Sequence, residues 1–285
     1  MPSVRDLRDR IRSMKNTEQI TKAMKQVAAA KIRRAEALQK QSRPYANALA
    51  QMLGDLLANA SSVDHPFMRP GAAGAAPGVI LMTADKGLAG SFNANLIRVG
   101  EGLQRESAGR WYPVGNKARN AVRRFGGETV RAWPLQSADK LGAAREIAAA
   151  ASDDFVAGRI GTLTLISPKL ISMMSQRPET RRLLPVVASE AAPREAGLRN
   201  AVEFEPSPEA VLSRILPKYL EFTIYAAMLE TDAAFYSAQL IAMSNASDNA
   251  RKLIDQLTVQ MNNARQAAIT KEILEIVGGA EALAG

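Results

Sequence analysis

The sequence predicts an α+β, α-rich fold: a long antiparallel coiled coil of N- and C-terminal helices that carries an inserted α/β, Rossmann-like domain. Three observations predict it. Apolar residues recur at three- and four-residue steps at both ends of the chain, over stretches longer than a globular helix needs. Between them, short apolar runs alternate with helical ones, the pattern of a layered domain on a largely parallel sheet. The two ends also differ in charge. Residues 1–45 hold twelve Lys/Arg against four Asp/Glu, a net of +8, whereas residues 209–285 hold six against nine, a net of −3. Paired side by side, such arms attract.

The first helix, residues 1–59, has no proline from Ser3 up to Pro44 and no glycine before Gly54. Its stripe runs Val4, Leu7, Ile11, Met14, then Ile32, Ala35, Leu38, then Tyr45, Leu49, Met52, Leu56. In the middle it weakens: Glu18, Thr21 and Lys25 fall where the stripe belongs, and Ile20 and Met24 lie off register. Fifty-odd helical residues span roughly 80 Å. Residues 60–78 read as a linker ending in the small-residue run Gly71–Gly78, and residues 79–206 as the inserted domain. Within it, Val79–Met82, Trp111–Val114, Glu128–Trp133 and Ile160–Ser167 are the expected strands, with helices from about Asn93, near Lys117–Phe125 and near Lys140–Phe155. Residues 207–285 form the second long helix. Ser207 is its N-cap, Pro208 its first residue and Pro217 a potential kink. Ile254, Leu257, Met261, Ala264 and Ala268 mark its stripe, and Ile269, Ile273 and Ile276 an adjacent one. This helix outruns its partner, so its apolar end projects alone, which makes sense if another protein surrounds it.

Composition removes several function classes. The 285 residues include no cysteine, which excludes disulfides, thiolate nucleophiles and Cys-ligated metals. The only histidine, His65, lies in Ser62–Pro66, which reads as a loop, and acid–base work requires partners held within hydrogen-bond reach. No catalytic residue, metal or cofactor is expected. Residues Met1–Arg12 lack the apolar core of a secretory leader, and no run approaches the ~20 apolar residues of a membrane span. A soluble chain is expected, held at a membrane only through partners.

Two loops could carry chemistry. Thr83–Asn93 follows a strand and opens a helix, where phosphate-binding turns occur, but it is neither a Walker loop nor Gly-x-Gly-x-x-Gly. A tight structural turn is the favoured reading. Ser167–Pro178 is polar, and no catalytic set assembles around it; a surface loop or connecting helix is expected. The basic residues of the first helix, from Arg5 to Arg34, could follow a phosphate backbone. That makes a basic coiled-coil nucleic-acid-binding protein the alternative function. However, no aromatic precedes Tyr45 to stack on bases, and acidic residues interrupt the run.

Three motifs carry a resemblance. Ile20–Lys31 closely resembles the N-terminal signature of ATP synthase gamma subunits. Asp85–Asn93 is similar to that family's glycine turn, and Ala264–Leu283 matches its C-terminal signature nearly residue for residue. The resemblance covers essentially the whole chain. It implies the central shaft of a rotary proton-translocating ATPase of bacterial type, coupling proton flow to ATP synthesis or hydrolysis on other subunits. The implied partners are the alpha and beta subunits of the catalytic hexamer, the epsilon subunit and the membrane ring of c subunits. The implied location is peripheral, on the cytoplasmic face of the inner membrane. By the same resemblance, Lys22, Lys25, Arg33, Arg34, Arg265, Gln266, Thr270 and Glu272 contact the hexamer. Ile273, Ile276, Val277 and Leu283 form the apical tip, and Phe204 and Glu205 meet the rotor ring. Departures from the pattern are Gln239 for an arginine, Phe235–Tyr236 for Glu-His, and Ala89 for a cysteine. The cysteine pair used for redox control in chloroplast relatives is absent.

Overall fold

Helix α1 (Val4–Asn59) opens on a reciprocal cap, in which Ser3 N donates to Asp6 Oδ2 and Asp6 N donates to Ser3 Oγ. Helix α5 (Pro208–Ala284) opens on Ser207, whose Oγ accepts from Ala210 N at 3.3 Å. It continues through Pro217, so the expected kink does not end the helix. Buried Ile215, Leu216 and Leu220 flank that proline, and their packing offsets the lost backbone bond. The computed structural model describes residues 3–59, 65–186 and 207–284. They divide into two units: Met1–Ala28 with Leu240–Gly285, and Ala29–Gln239.

The first unit is an antiparallel helix pair. Leu7, Ile11 and Leu257 bury against one another, with Met14, Ile254, Met261 and Ala264 packed around them. Arg251 meets Glu18, and Ser244 meets Lys25, so positions fall along α5 as they rise along α1. The seam ends at Ala264, one step short of expectation; Ala268 is exposed.

The second unit is built on a five-stranded sheet. Strands β1 (Ala76–Met82), β2 (Arg110–Val114), β3 (Glu128–Thr129) and β4 (Ile160–Ser172) are parallel, and β5 (Ser175–Leu184) pairs antiparallel with β4. The order is β3-β2-β1-β4-β5. Helices α2 (Phe92–Glu106), α3 (Asn116–Arg124) and α4 (Lys140–Val156) complete the layers. Ile80, Met82, Tyr112 and Leu165 join α4, Leu49 and Leu53 of α1, and Leu212–Met228 of α5 in one core. On the other face, α2 approaches Leu81 and Trp111 so closely that a Cβ on Gly100 would meet both at 3.3–3.4 Å. Cover on both faces explains why Val79–Met82 is continuously apolar.

Two expectations need correction. Ser167–Pro178 is neither loop nor helix: β4 runs on to Ser172, turns through Met173–Met174, and returns as β5. Pro168 stands opposite Pro178, beyond the last β1 pair (Leu81↔Ile166), so its missing N–H costs no bond to β1. The third strand shrinks to Glu128–Thr129. Trp133 rejoins β2 only as an isolated bridge to Val114, and Val130 N still bonds Trp111 O.

Candidate functional site

The turn after β1 sits where doubly wound sheets bind ligands, at the carboxyl ends of the strands. Here the chain fills that position itself. Asp85 Oδ1 accepts from Asn116 N at 2.9 Å and from Leu135 N at 3.4 Å, and its Oδ2 accepts from Gln136 N at 2.8 Å. Lys117 N bonds Ala84 O, and Ala118 N bonds Thr83 Oγ1 at 2.7 Å. The donors that begin α3, which would otherwise attract a phosphate, therefore hold internal acceptors. The approach is tight because of Gly115, at φ 92°. A Cβ there would stand 2.1 Å from Thr83 O, so only glycine fits. Asn93 closes the turn, accepting from Ala84 N and donating to Lys86 O. This favours the structural reading of the loop. His65 likewise has a local role: its Nδ1 accepts from Phe67 N at the start of a 3-10 turn, Pro66–Met68.

The polar interruption of the α1 stripe is satisfied within the helix pair. Thr21 is buried, and its hydroxyl donates to Thr17 O and Glu18 O. Lys22 pairs with Glu18 at 2.7 Å, and Arg251 approaches the same carboxylate at 3.5 Å; together they hold it below its ordinary pKa. Lys25 Nζ donates to Ser244 Oγ at 3.0 Å. Ile20 and Val27, off the seam, are exposed at 60% and 56%.

From Arg265 to Ala280, every residue of α5 is exposed. Ile269, Ile273, Leu274, Ile276 and Val277 present exposed apolar surface, interleaved in sequence with Arg265, Lys271, Glu272 and Glu275. Gln266 O accepts from Thr270 Oγ1, and Lys271 pairs with Glu275 at 3.5 Å.

The sequence-derived contact set is thus distributed. Lys22, Lys25, Arg265, Gln266, Thr270 and Glu272 belong to the first unit, and Arg33 and Arg34, both exposed, to the second. Ile273, Ile276 and Val277 are exposed on the C-terminal stretch of α5. The side chains of Leu56 and Leu283 are not among those described, and Phe204 and Glu205 lie outside the described residues. Gln239, where an arginine was expected, is buried at 9% exposure. Sequence reasoning missed the polar cluster of Gln136, Lys140, Asp232 and Tyr236 in the second unit. Its one signal was Phe235–Tyr236, noted as a departure but not joined to a loop a hundred residues away.

Comparison with known proteins adds to this. The profile of the family described as ATP synthase matches residues 3–283. The chain is 42% identical to the ATP synthase gamma chain of Heliobacterium modesticaldum over 99% of this chain and 100% of that one. It is 43% identical to the gamma chain of Pelotomaculum thermopropionicum, again over 99% and 100%. Among solved structures, the fold resembles a chain of the Euglena gracilis mitochondrial ATP synthase assembly of OSCP, F1 and c-ring. There the TM-score is 0.67 at 17% identity, covering 98% of this chain and 94% of that one. It also resembles a chain in the Tetrahymena thermophila central stalk and c-ring, with a TM-score of 0.61 at 24% identity, over 80% and 99%.

Proposed function

The chain belongs to the ATP synthase gamma family, as a central-stalk subunit of the rotary enzyme, and from that premise we propose how its surfaces perform the task. The observation that carries the reading is the stretch from Arg265 to Ala280: sixteen consecutive exposed helical residues, rich in isoleucine and valine. An isolated chain gains nothing from such a surface, whereas a sleeve of partner subunits would bury it. The alternative nucleic-acid function finds no support among the relatives.

In this reading, Ile273, Ile276, Val277 and Leu283 turn inside the catalytic hexamer of alpha and beta subunits. Arg265, Gln266, Thr270 and Glu272 make the polar contacts below them. Lys22, Lys25, Arg33 and Arg34 meet acidic segments of the beta subunits, and Phe204 and Glu205 meet the c-ring beside the epsilon subunit. The chain acts from the cytoplasmic face of the inner membrane as a peripheral subunit. Among the described residues, no helix is long and apolar enough to cross a membrane.

The work is conformational selection. A shaft whose contacts were identical toward each catalytic subunit could shift no equilibrium, however tightly it was held. An asymmetric pair, with α5 exposed above Ala264 and packed on α1 below it, presents a different chemistry at each angle. The chain needs no nucleotide site for this, in keeping with an α3 N-terminus already satisfied by Asp85 and Thr83.

The test is assembly. Co-expressed with alpha and beta subunits of a relative, the full chain should yield a complex that hydrolyses MgATP. Removal of Leu274–Gly285 should lower hydrolysis while leaving the chain's own melting temperature unchanged. A truncated chain that melts earlier, or a complex indifferent to the truncation, counts against this role for the tip.

A further inference from the structure

Helix α5 meets the sheet layer of the second unit in two chemically different ways. From Leu212 to Met228 the contact is apolar. One turn later it becomes a chain of polar groups, in which Asp232 and Tyr236 are buried, Lys140 is half-buried, and Gln136 and Lys31 reach the surface. Asp232, 7% exposed, takes Lys140 Nζ on Oδ2 at 2.9 Å and Gln136 Nε2 on Oδ1 at 3.2 Å. Gln136 Nε2 also donates to Tyr236 Oη at 2.6 Å, and that oxygen accepts from Lys31 Nζ of α1 at 3.2 Å. The Lys31 ammonium lies 5.1 Å from the Tyr236 ring centroid. Lys140 also donates to Leu135 O, and Asp85 at the end of β1 holds the amides of Leu135 and Gln136. A continuous relay therefore joins α1, α5, the loop before α4, and the carboxyl end of β1.

We propose that Asp232, Lys140, Gln136 and Tyr236 are positioning residues that form the torque-bearing joint between the sheet layer and the two long helices. The proposal rests on the rotor reading above. Apolar contact is non-directional, so a helix held by it alone can be displaced along or about its axis without losing much burial. Charge-assisted hydrogen bonds have narrow distance and angle requirements, and a displaced helix would leave Asp232 and Lys140 buried and unpaired. Stability alone does not account for the pair. Burial raises the Asp232 pKa above its ordinary value, although Lys140 and Gln136 pull it down. Ionised Asp232 thus lowers stability as the pH rises through its folded pKa. What such a pair supplies is register.

The experiment compares the assembled wild-type complex with complexes carrying D232L/K140M or Y236F. It reads protons pumped per ATP hydrolysed in membrane vesicles against an increasing opposing gradient, together with the melting temperature of each full-length chain. Replacing both charged partners by apolar groups of similar size keeps the fold near wild-type stability. The expected result is a wild-type melting temperature and unloaded hydrolysis within ~2-fold of wild type, with pumping per ATP at least ~2-fold lower under the steepest gradient. A pumping ratio equal to wild type at every gradient overturns the joint. So does a loss of ratio that Leu216→Ala, an apolar variant of the same interface, reproduces. If the wild-type chain itself gives no hydrolysing complex, the rotor reading falls and the joint with it.

Discussion

Two stretches of helix α5 have similar appetites for apolar contact and opposite fates. Between Leu212 and Tyr236, Leu212, Leu216, Leu220, Ile224 and Met228 are each at most 3% exposed. Between Arg265 and Ala280, Ile273, Leu274 and Ile276 stand 55%, 66% and 71% exposed. Helix propensity cannot explain the difference, since both stretches are helical. The first has a partner within the chain, and among the described residues the second stays exposed. A long helix thereby carries two environments along one backbone, with one stretch anchored in its own core and the other exposed.

Substitutions can break that comparison. Leu216→Ala should cost the isolated chain about 3 kcal/mol through lost transfer energy and the cavity left behind, whereas Ile276→Ala should cost under ~0.5 kcal/mol; denaturant titration of both variants checks this. A large effect at Ile276 would mean the exposed stretch has a partner within the chain. An intermediate case sharpens it: Leu257→Ala, in the helix pair, should cost about 2 kcal/mol, because at 8% exposure it packs in the small cluster of Leu7, Ile11 and their neighbours.

The same contrast extends to polar groups. Asp154 lies buried at the foot of the sheet, accepting from Tyr112 Oη at 2.6 Å and from Arg159 Nε at 2.6 Å. Burial works to raise its pKa, but the bonds from Tyr112 and Arg159 and the charge of Arg110 outweigh it, and the carboxyl titrates below its ordinary value. A depressed folded pKa stabilises above the unfolded value, near ~3.9, and that contribution disappears as the pH falls through the folded one. Asp154→Asn should therefore cost about 1–2 kcal/mol at neutral pH and flatten the loss of stability below pH ~4. The smallest effect is expected at the exposed Lys271–Glu275 pair, where Lys271→Gln should change stability by under ~0.5 kcal/mol and less still in high salt.

The sequence made some of this plain because periodic patterns survive without knowledge of tertiary contacts. The steps from Leu7 to Met14 and from Ile254 to Ala264 locate the helix seam, and the runs Val79–Met82 and Trp111–Val114 locate strands covered on both faces. The hairpin of β4 and β5 was hidden because its outer strand, Gln176–Arg182, is an edge with charges along it and Pro178 in it, which reads as loop chemistry. The polar cluster around Asp232 was hidden for another reason. Gln136 and Tyr236 are a hundred residues apart, and only the sheet's topology makes them neighbours. The exposed end of α5 was legible as apolar residues without a partner in sequence, and its solvent-facing placement fits that reading.

The carboxylate of Asp85 has a consequence at the level of the cell. A protein whose α/β layer took up nucleotide would grow more stable with each rise in the free concentration, by an amount set by that concentration and its dissociation constant. With α3 already sealed by a side chain of the same chain, its N-terminus offers no anchor for such a dependence. The order of this layer then rests, at that position, on a carboxylate carried by the chain rather than on an anion drawn from the compartment.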